Sequence, residues 1–178
     1  MTQLTWHTYS QSSNRFSDIE LDWLFNQGSL TERLIQLSQN AFSLEIVSET
    51  LQMLRQDEYN YLNISSLQKQ WVREVILKGN DIPWVYARSI ILCNKNNQSN
   101  MNALTNIGTK SLGSILFEQD CFNRSEIEVT QYPIKLLPFQ QFCDNLWARR
   151  SRFYNDTYMV VVQEIFLPHF WQTIQSTK

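Results

Sequence analysis

The sequence predicts an α+β domain built on one antiparallel sheet, with helices packed on a face and at its ends. Three observations carry this. Two long runs rich in β-branched and aromatic residues, 71–91 and 146–166, each break in the middle at a turn dipeptide, Asn80-Asp81 and Asn155-Asp156. Two helix-start signatures, Ser17-Asp18-Ile19-Glu20 and Ser29-Leu30-Thr31-Glu32, follow one another near the N-terminus. Helical and extended segments do not alternate regularly, so a parallel βαβ sheet is not expected.

The elements follow in order. Residues 1–16 show little periodicity and are expected to wrap the surface irregularly, with His7 in a mobile tail. Ser17 opens a short helix that Gly28 can end. Ser29 opens a second helix running to about Gln39, with Leu30, Leu34 and Leu37 inward. Its first turn, around Leu30, carries free backbone N–H groups, which are suited to an anion but common to every helix start. Phe42, Leu44 and Ile46 alternate with polar residues, so 42–49 reads as a strand. Residues 50–64 continue it and then loop.

The hairpin 71–91 follows. With Asn80 and Asp81 as a two-residue turn, Arg73 stands directly opposite Arg88 on an apolar face shared with Trp71, Val75, Leu77, Trp84, Tyr86 and Ile90. Like charges in that position are unfavourable unless an anion lies between them or a carboxylate comes from elsewhere. The structural alternative is that one arginine snorkels to solvent or pairs with an acid. A one-residue slip of register would remove the pairing.

Residues 94–102 form a polar loop, and a short helix is expected near 103–107. Gly108-Thr109-Lys110-Ser111-Leu112-Gly113 lacks the Walker A spacing and reads as a Gly-rich turn into a helix starting near Leu112, a second helix end suited to an anion. Residues 126–129 alternate as a strand, and 131–144 form an excursion between strands. In the last hairpin Glu164 interrupts an apolar strand and shares a face with Val160, Val162 and Phe166. Both faces look buried, so Glu164 is a buried carboxylate in need of a partner, Arg149 and Arg152 being structural candidates. Pro168 ends the strand, and a short helix with Trp171 and Ile174 closes the chain.

Composition excludes several classes. A chain of 178 residues that is 43% hydrophobic and 13% aromatic is expected to fold as one domain, 1–178. A net charge of −2 argues against a broad nucleic-acid surface, despite the short basic run Arg149-Arg150-Ser151-Arg152. No segment approaches the length of a transmembrane helix, and residues 1–17 lack the apolar stretch of a signal peptide. Cys93, Cys121 and Cys143 are widely spaced, as expected of free thiols in a reducing cytoplasm. With only His7 and His169, neither a zinc site nor a histidine-based nucleophilic machine is expected.

Five stretches together resemble the chorismate pyruvate-lyase family: LDWLFNQGSLTERL (21–34), WVREVILKGNDIPWVYAR (71–88), IGTKSLGSILF (107–117), LWARRSRF (146–153) and QEIFLP (163–168). The resemblance spans roughly 19–168. Residues 40–65 match loosely, and 131–144 is longer than in the bacterial enzymes. It implies an antiparallel sheet with helical flaps over a buried ligand site, and conversion of chorismate to 4-hydroxybenzoate and pyruvate at the first committed step to ubiquinone. It further implies a monomer using no metal or cofactor; the cysteine usage, net charge and hydropathy already point to a cytoplasmic protein with no nucleic-acid partner and no membrane insertion. By the same resemblance Arg73 binds the ligand, Glu164 is catalytic, Leu30 and Leu112 offer backbone contacts to the ligand carboxylate, and Arg88 lies near the site entrance. Leu30 stands where the family usually has Met. The competing reading is an effector-sensing domain of the same fold that binds a small ligand without chemistry.

Overall fold

A computed structural model describes residues 4–65, 68–93, 104, 107–118, 122–139 and 145–176. The whole 94–102 loop, the expected helix near 103–107 apart from Leu104 and Ile107, and Cys121 and Cys143 lie outside the described residues.

The sheet is antiparallel and eight-stranded: β1 (His7–Thr8), β2 (Phe42–Gln52), β3 (Gln70–Gly79), β4 (Ile82–Cys93), β5 (Asn123–Arg124), β6 (Glu128–Pro133), β7 (Asn145–Tyr154) and β8 (Tyr158–Phe166). The strand order is β1-β6-β7-β8-β4-β3-β2, with β5 paired to β7. Among the described residues six α-helices accompany it: α1 (Tyr9–Ser12), α2 (Asp18–Leu24), α3 (Leu30–Leu37), α4 (Gln56–Leu62), α5 (Leu112–Glu118) and α6 (Pro168–Ser176).

Both faces of the central strands are covered. On one face α2, α3 and α6 bury a cluster that includes Trp23, Leu30, Leu34, Val85, Phe166 and Phe170. Beside it α5 packs Leu112 and Leu116 against Ile91, Phe153 and Val160. The other face packs Tyr59 and Leu62 of α4 against Val72, Ile90 and Val161. It also receives Leu4 and residues 134–139 around Tyr86, Tyr132 and Ile165.

The helix starts form where their caps require. Ser17 N donates to Glu20 Oε2 at 2.9 Å, and Ser29 Oγ accepts the Glu32 N–H at 3.3 Å. The first of these helices ends at Leu24, before Gly28, because Phe25 already caps it onto the Leu21 carbonyl.

Other expectations are corrected. Residues 1–16 are not wholly irregular: His7 pairs with Val129 across β1 and β6, so the histidine belongs to a sheet edge. Residues 56–62 form α4 rather than a loop, stopped by Asn63 in the left-handed region at φ 53°. The described part of the 131–144 excursion extends β6 to Pro133 and then packs on the face opposite α3 and α5, with the Phe139 and Tyr86 rings edge to face at 5.8 Å.

The largest correction concerns the 71–91 hairpin. Asn80 and Asp81 do form the two-residue turn, both at positive φ (52° and 62°). A bulge follows at once. Lys78 pairs with Pro83 but Leu77 pairs with Val85, so Trp84 is skipped and the register slips by one. Arg73 therefore faces Ser89, Arg88 faces Glu74, and the two arginines point to opposite sides of the sheet. The physical reason is Trp84. Its ring lies over Gly79, where an added Cβ would stand 2.1 Å from ring carbons. Only glycine lets the indole tuck under the turn and draw the extra residue out of the ladder.

Candidate active site

Register places the chemistry. On the face covered by α3 and α5, Arg73, Ser89, Val162 and Ser151 form one row across β3, β4, β8 and β7. The next row reads Val75, Ala87, Glu164, Arg149 and Val129. Arg73 and Glu164 thus share a face two strands apart, roughly 10 Å by ordinary strand spacing. Ala87 and Ser89, both small, lie on the strand between them.

Arg73 is buried at 2% exposure. Its Nη2 donates to the Gly108 and Lys110 carbonyls at 2.6 and 3.0 Å, which sets the guanidinium beside the turn that starts α5. Its Nη1 lies 2.9 Å from Glu49 Oε1, but the alignment is poor and neither atom makes a hydrogen bond. Burial lowers the Arg73 pKa, and Glu49 offsets only part of this. The two helix starts meet above. Thr31 Oγ1 donates to Ser111 Oγ at 3.0 Å, which brings the Leu30 turn of α3 against the Leu112 turn of α5. Both leucines are buried, at 3% and 5%.

Glu164 is half-buried, and its partner is Arg149, with Arg149 Nε 2.5 Å from Glu164 Oε2. Of the two arginines offered by the sequence, Arg149 is the one on the right face; Arg152 alternates to the other side, toward Tyr61. Arg149 Nη1 also donates to the Trp23 and Asn26 carbonyls at 2.9 and 3.2 Å, tying the pair to the loop that leads into α3.

Arg124 was not among the residues singled out from the sequence. It sits on the two-residue β5 and reaches Ser151 Oγ with Nε (3.0 Å) and the Gln27 carbonyl with Nη1 (2.6 Å). Its guanidinium lies over the edge-to-face pair of Phe117 and Phe153, 5.5 and 5.0 Å from the two ring centroids. Burial, and secondarily the charge of Arg149, lower its pKa to about 10, while Glu164 pulls the other way. A lone arginine beside an outlying strand gives no periodic signal, so nothing in the sequence marked it.

Arg88 is not brought together with these groups. It belongs to a polar row on the opposite face: Glu74, Arg88, Gln163, Arg150 and Glu128. Its Nε and Nη2 donate to Glu58 at 2.8 and 3.1 Å and its Nη1 to Glu74 at 2.9 Å. Arg55 and Gln163 complete the surroundings of Glu58, which is 1% exposed. Arg88 is thus a fully partnered structural cation, the outcome its snorkel-or-pair alternative allowed.

Among the described residues no group of three or more His, Cys, Asp or Glu side chains could hold a metal ion, and no helix is long and apolar enough to cross a membrane.

Fold and site together define an α+β domain that gathers buried arginines and a glutamate beneath two abutting helix starts. The sequence profile of the chorismate lyase family matches residues 1–176. A protein of Pseudomonas entomophila strain L48 named "Probable chorismate pyruvate-lyase 2" is 41% identical over 97% of this chain and 93% of its own length. "Probable chorismate pyruvate-lyase" of Pseudomonas aeruginosa UCBPP-PA14 is 45% identical over 85% of this chain and 84% of its own. The chain belongs to the chorismate lyase family. Among solved structures, the effector domain of PhnF from Mycobacterium smegmatis superposes with a TM-score of 0.56 at 11% identity, covering 81% of this chain and 91% of that one. At that identity the likeness is one of fold alone.

Proposed function

We propose that the protein is a chorismate pyruvate-lyase, releasing pyruvate from chorismate and leaving 4-hydroxybenzoate without metal or organic cofactor. Family membership supports this, and one structural observation carries it to the residues: Arg73 and Glu164 share the face beneath α3 and α5, separated by small side chains. In this reading the ring carboxylate goes to Arg73 and to first-turn N–H groups at Leu30 and Leu112. The ring hydroxyl goes to Glu164. The family resemblance also supports a cytoplasmic monomer at the first committed step to ubiquinone.

The chemistry balances within the substrate. The C4 proton leaves, and its bonding pair closes the third ring double bond between C3 and C4. The C3–O bond breaks with its electrons on the ether oxygen. That oxygen becomes the ketone of pyruvate as the former methylene carbon takes up a proton. Aromatisation supplies the driving force, so the protein needs only to lower the barrier. Glu164 either carries the proton from C4 or orients the hydroxyl while the proton passes directly to the methylene carbon. Arg149 fixes the Glu164 carboxylate in either case. The Thr31–Ser111 bond joins the two helices over the site, so opening them to release the flat product is the step expected to limit turnover.

The test is direct. Purified protein with chorismate and a chelator should release 4-hydroxybenzoate and pyruvate in equal amounts, read by absorbance and chromatography. Intact chorismate with tight 4-hydroxybenzoate binding would replace the lyase by a sensing domain.

A further inference from the structure

We propose that Arg124 binds the second carboxylate of the substrate, the one that departs with pyruvate. The inference rests on the lyase reading of the same site. A dianionic substrate needs two cationic contacts. Arg73 provides one, at the end of the site next to α5. Arg149 is taken up by Glu164 and two carbonyls, and Arg88 is on the far face of the sheet.

Arg124 is left, and its position suits the task. In chorismate the enolpyruvyl ether sits on the ring carbon next to the hydroxyl. If Glu164 takes the hydroxyl, the cation for the departing carboxylate must be a neighbour of Glu164. Arg124 is close enough to feel the charges of both Glu164 and Arg149. It reaches Ser151, which lies in the row of Arg73, so the two arginines flank the site from opposite sides. Its contacts are a hydroxyl, a carbonyl and two ring faces, with no carboxylate among the described residues. Among the described residues, Ser151 and Gln27 engage two of its five N–H donors. A half-buried guanidinium that touches no carboxylate among the described residues, next to a second arginine, is a place an anion completes.

The probe is 3-(carboxymethoxy)-4-hydroxybenzoate, a stable dianion carrying the extra carboxylate through the same ether position. Its affinity is compared with that of 4-hydroxybenzoate by calorimetry on the full chain. Wild type should bind the dianion more tightly than the monoanion by on the order of tenfold or more. Arg124→Met keeps an apolar stem against Phe117 and Phe153 and should lose that advantage, with 4-hydroxybenzoate affinity changing less than about threefold; Arg124→Lys should recover part of it. With chorismate, Arg124→Met should raise KM more than it lowers 4-hydroxybenzoate affinity. Equal binding of both probes by wild type, a requirement for no variant, would overturn the proposal, as would parallel weakening of both probes in Arg124→Met. The two readings fail separately. Absent turnover with the dianion still preferred removes the lyase and keeps the Arg124 site. Turnover with no preference removes the Arg124 site and keeps the lyase.

Discussion

Arg149 and Glu164 face each other across β7 and β8, with Arg149 Nε 2.5 Å from Glu164 Oε2. The pair joins the sheet to the loop before α3, because the same arginine donates to the Trp23 and Asn26 carbonyls. In the proposed site Glu164 thus has two duties, toward the ligand and toward a buried cation, and the variants that separate them are different. Glu164→Gln keeps the shape and an acceptor for Arg149. It should lower kcat by about tenfold at least, and by about a hundredfold or more if Glu164 carries the proton, with little loss of stability. Glu164→Ala strands Arg149 and should also cost roughly 3 kcal/mol of folding free energy. Steady-state kinetics beside chemical denaturation checks both; unchanged kcat in the two variants would remove Glu164 from the site.

Gly79→Ala should destabilise the protein by roughly 1–3 kcal/mol. The new methyl would meet the Trp84 ring at 2.1 Å, so the indole must leave its place under the turn. Gly79→Ala with Trp84→Leu should recover part of the loss, since the smaller side chain vacates the space. Melting curves of the single and double variants measure this coupling.

The Trp84 bulge also explains how far the sequence could be read. Period-two alternation put Glu164 on an otherwise buried strand and called for a partner, and serine-glutamate caps located α2 and α3, because these signals are local. The facing of Arg73 and Arg88 was not legible. It depends on one skipped residue, and a bulge moves every side chain beyond it to the other face. The usable sign was Gly79, four residues before Pro83-Trp84 at the hairpin's end. Helix α4 was missed for a different reason. Gln56–Leu62 is short and mostly polar, and beside Tyr59 and Leu62 it buries a charge: Glu58, satisfied by side chains from β4, β8 and Arg55. Tertiary pairing, invisible to periodicity, makes that residue internal.

Arg88 should behave as a structural residue. Arg88→Met removes the hydrogen bonds to Glu58 and Glu74 and leaves a carboxylate buried at 1% exposure with Arg55 and Gln163. The expected cost is about 3–5 kcal/mol. At a temperature where the variant is folded, KM for chorismate should stay near the wild-type value. A selective rise in KM with unchanged stability would return Arg88 to the ligand site.

The same cluster sets an acid limit. Burial pushes the Glu58 carboxyl up, but the Arg88 hydrogen bond and the charge of Arg55 outweigh it, and its pKa falls below the ordinary 4.5. A carboxylate lowered in the folded state binds fewer protons there than in the unfolded chain. Its stabilisation is complete above the unfolded value near 4.5 and fades as pH falls through the lower folded value. Glu58→Gln removes this titration. The variant should be less stable than wild type at neutral pH, and its stability should fall less steeply between about pH 5 and 3. Parallel stability–pH profiles would show that Glu58 does not contribute.

In the proposed site Glu49 is placed to tune the ligand affinity of Arg73. Its carboxylate lies 2.9 Å from Arg73 Nη1, close enough to cancel charge, yet misaligned, so the Nη1 donors stay available to a ligand carboxylate. Arg73 is held by the Gly108 and Lys110 carbonyls whether or not Glu49 is charged. Glu49→Gln should therefore keep the guanidinium in place while removing a competing anion. Affinity for 4-hydroxybenzoate should rise several-fold, and kcat should fall if product release limits turnover. Arg73→Ala should do the opposite to affinity, lowering it by roughly tenfold to a hundredfold through loss of a charge-assisted contact. Titrations of 4-hydroxybenzoate into the two variants read the contrast. Equal weakening in both would mean that Glu49 positions Arg73 rather than competing for it, and unchanged affinity in Arg73→Ala would remove Arg73 from the ligand site.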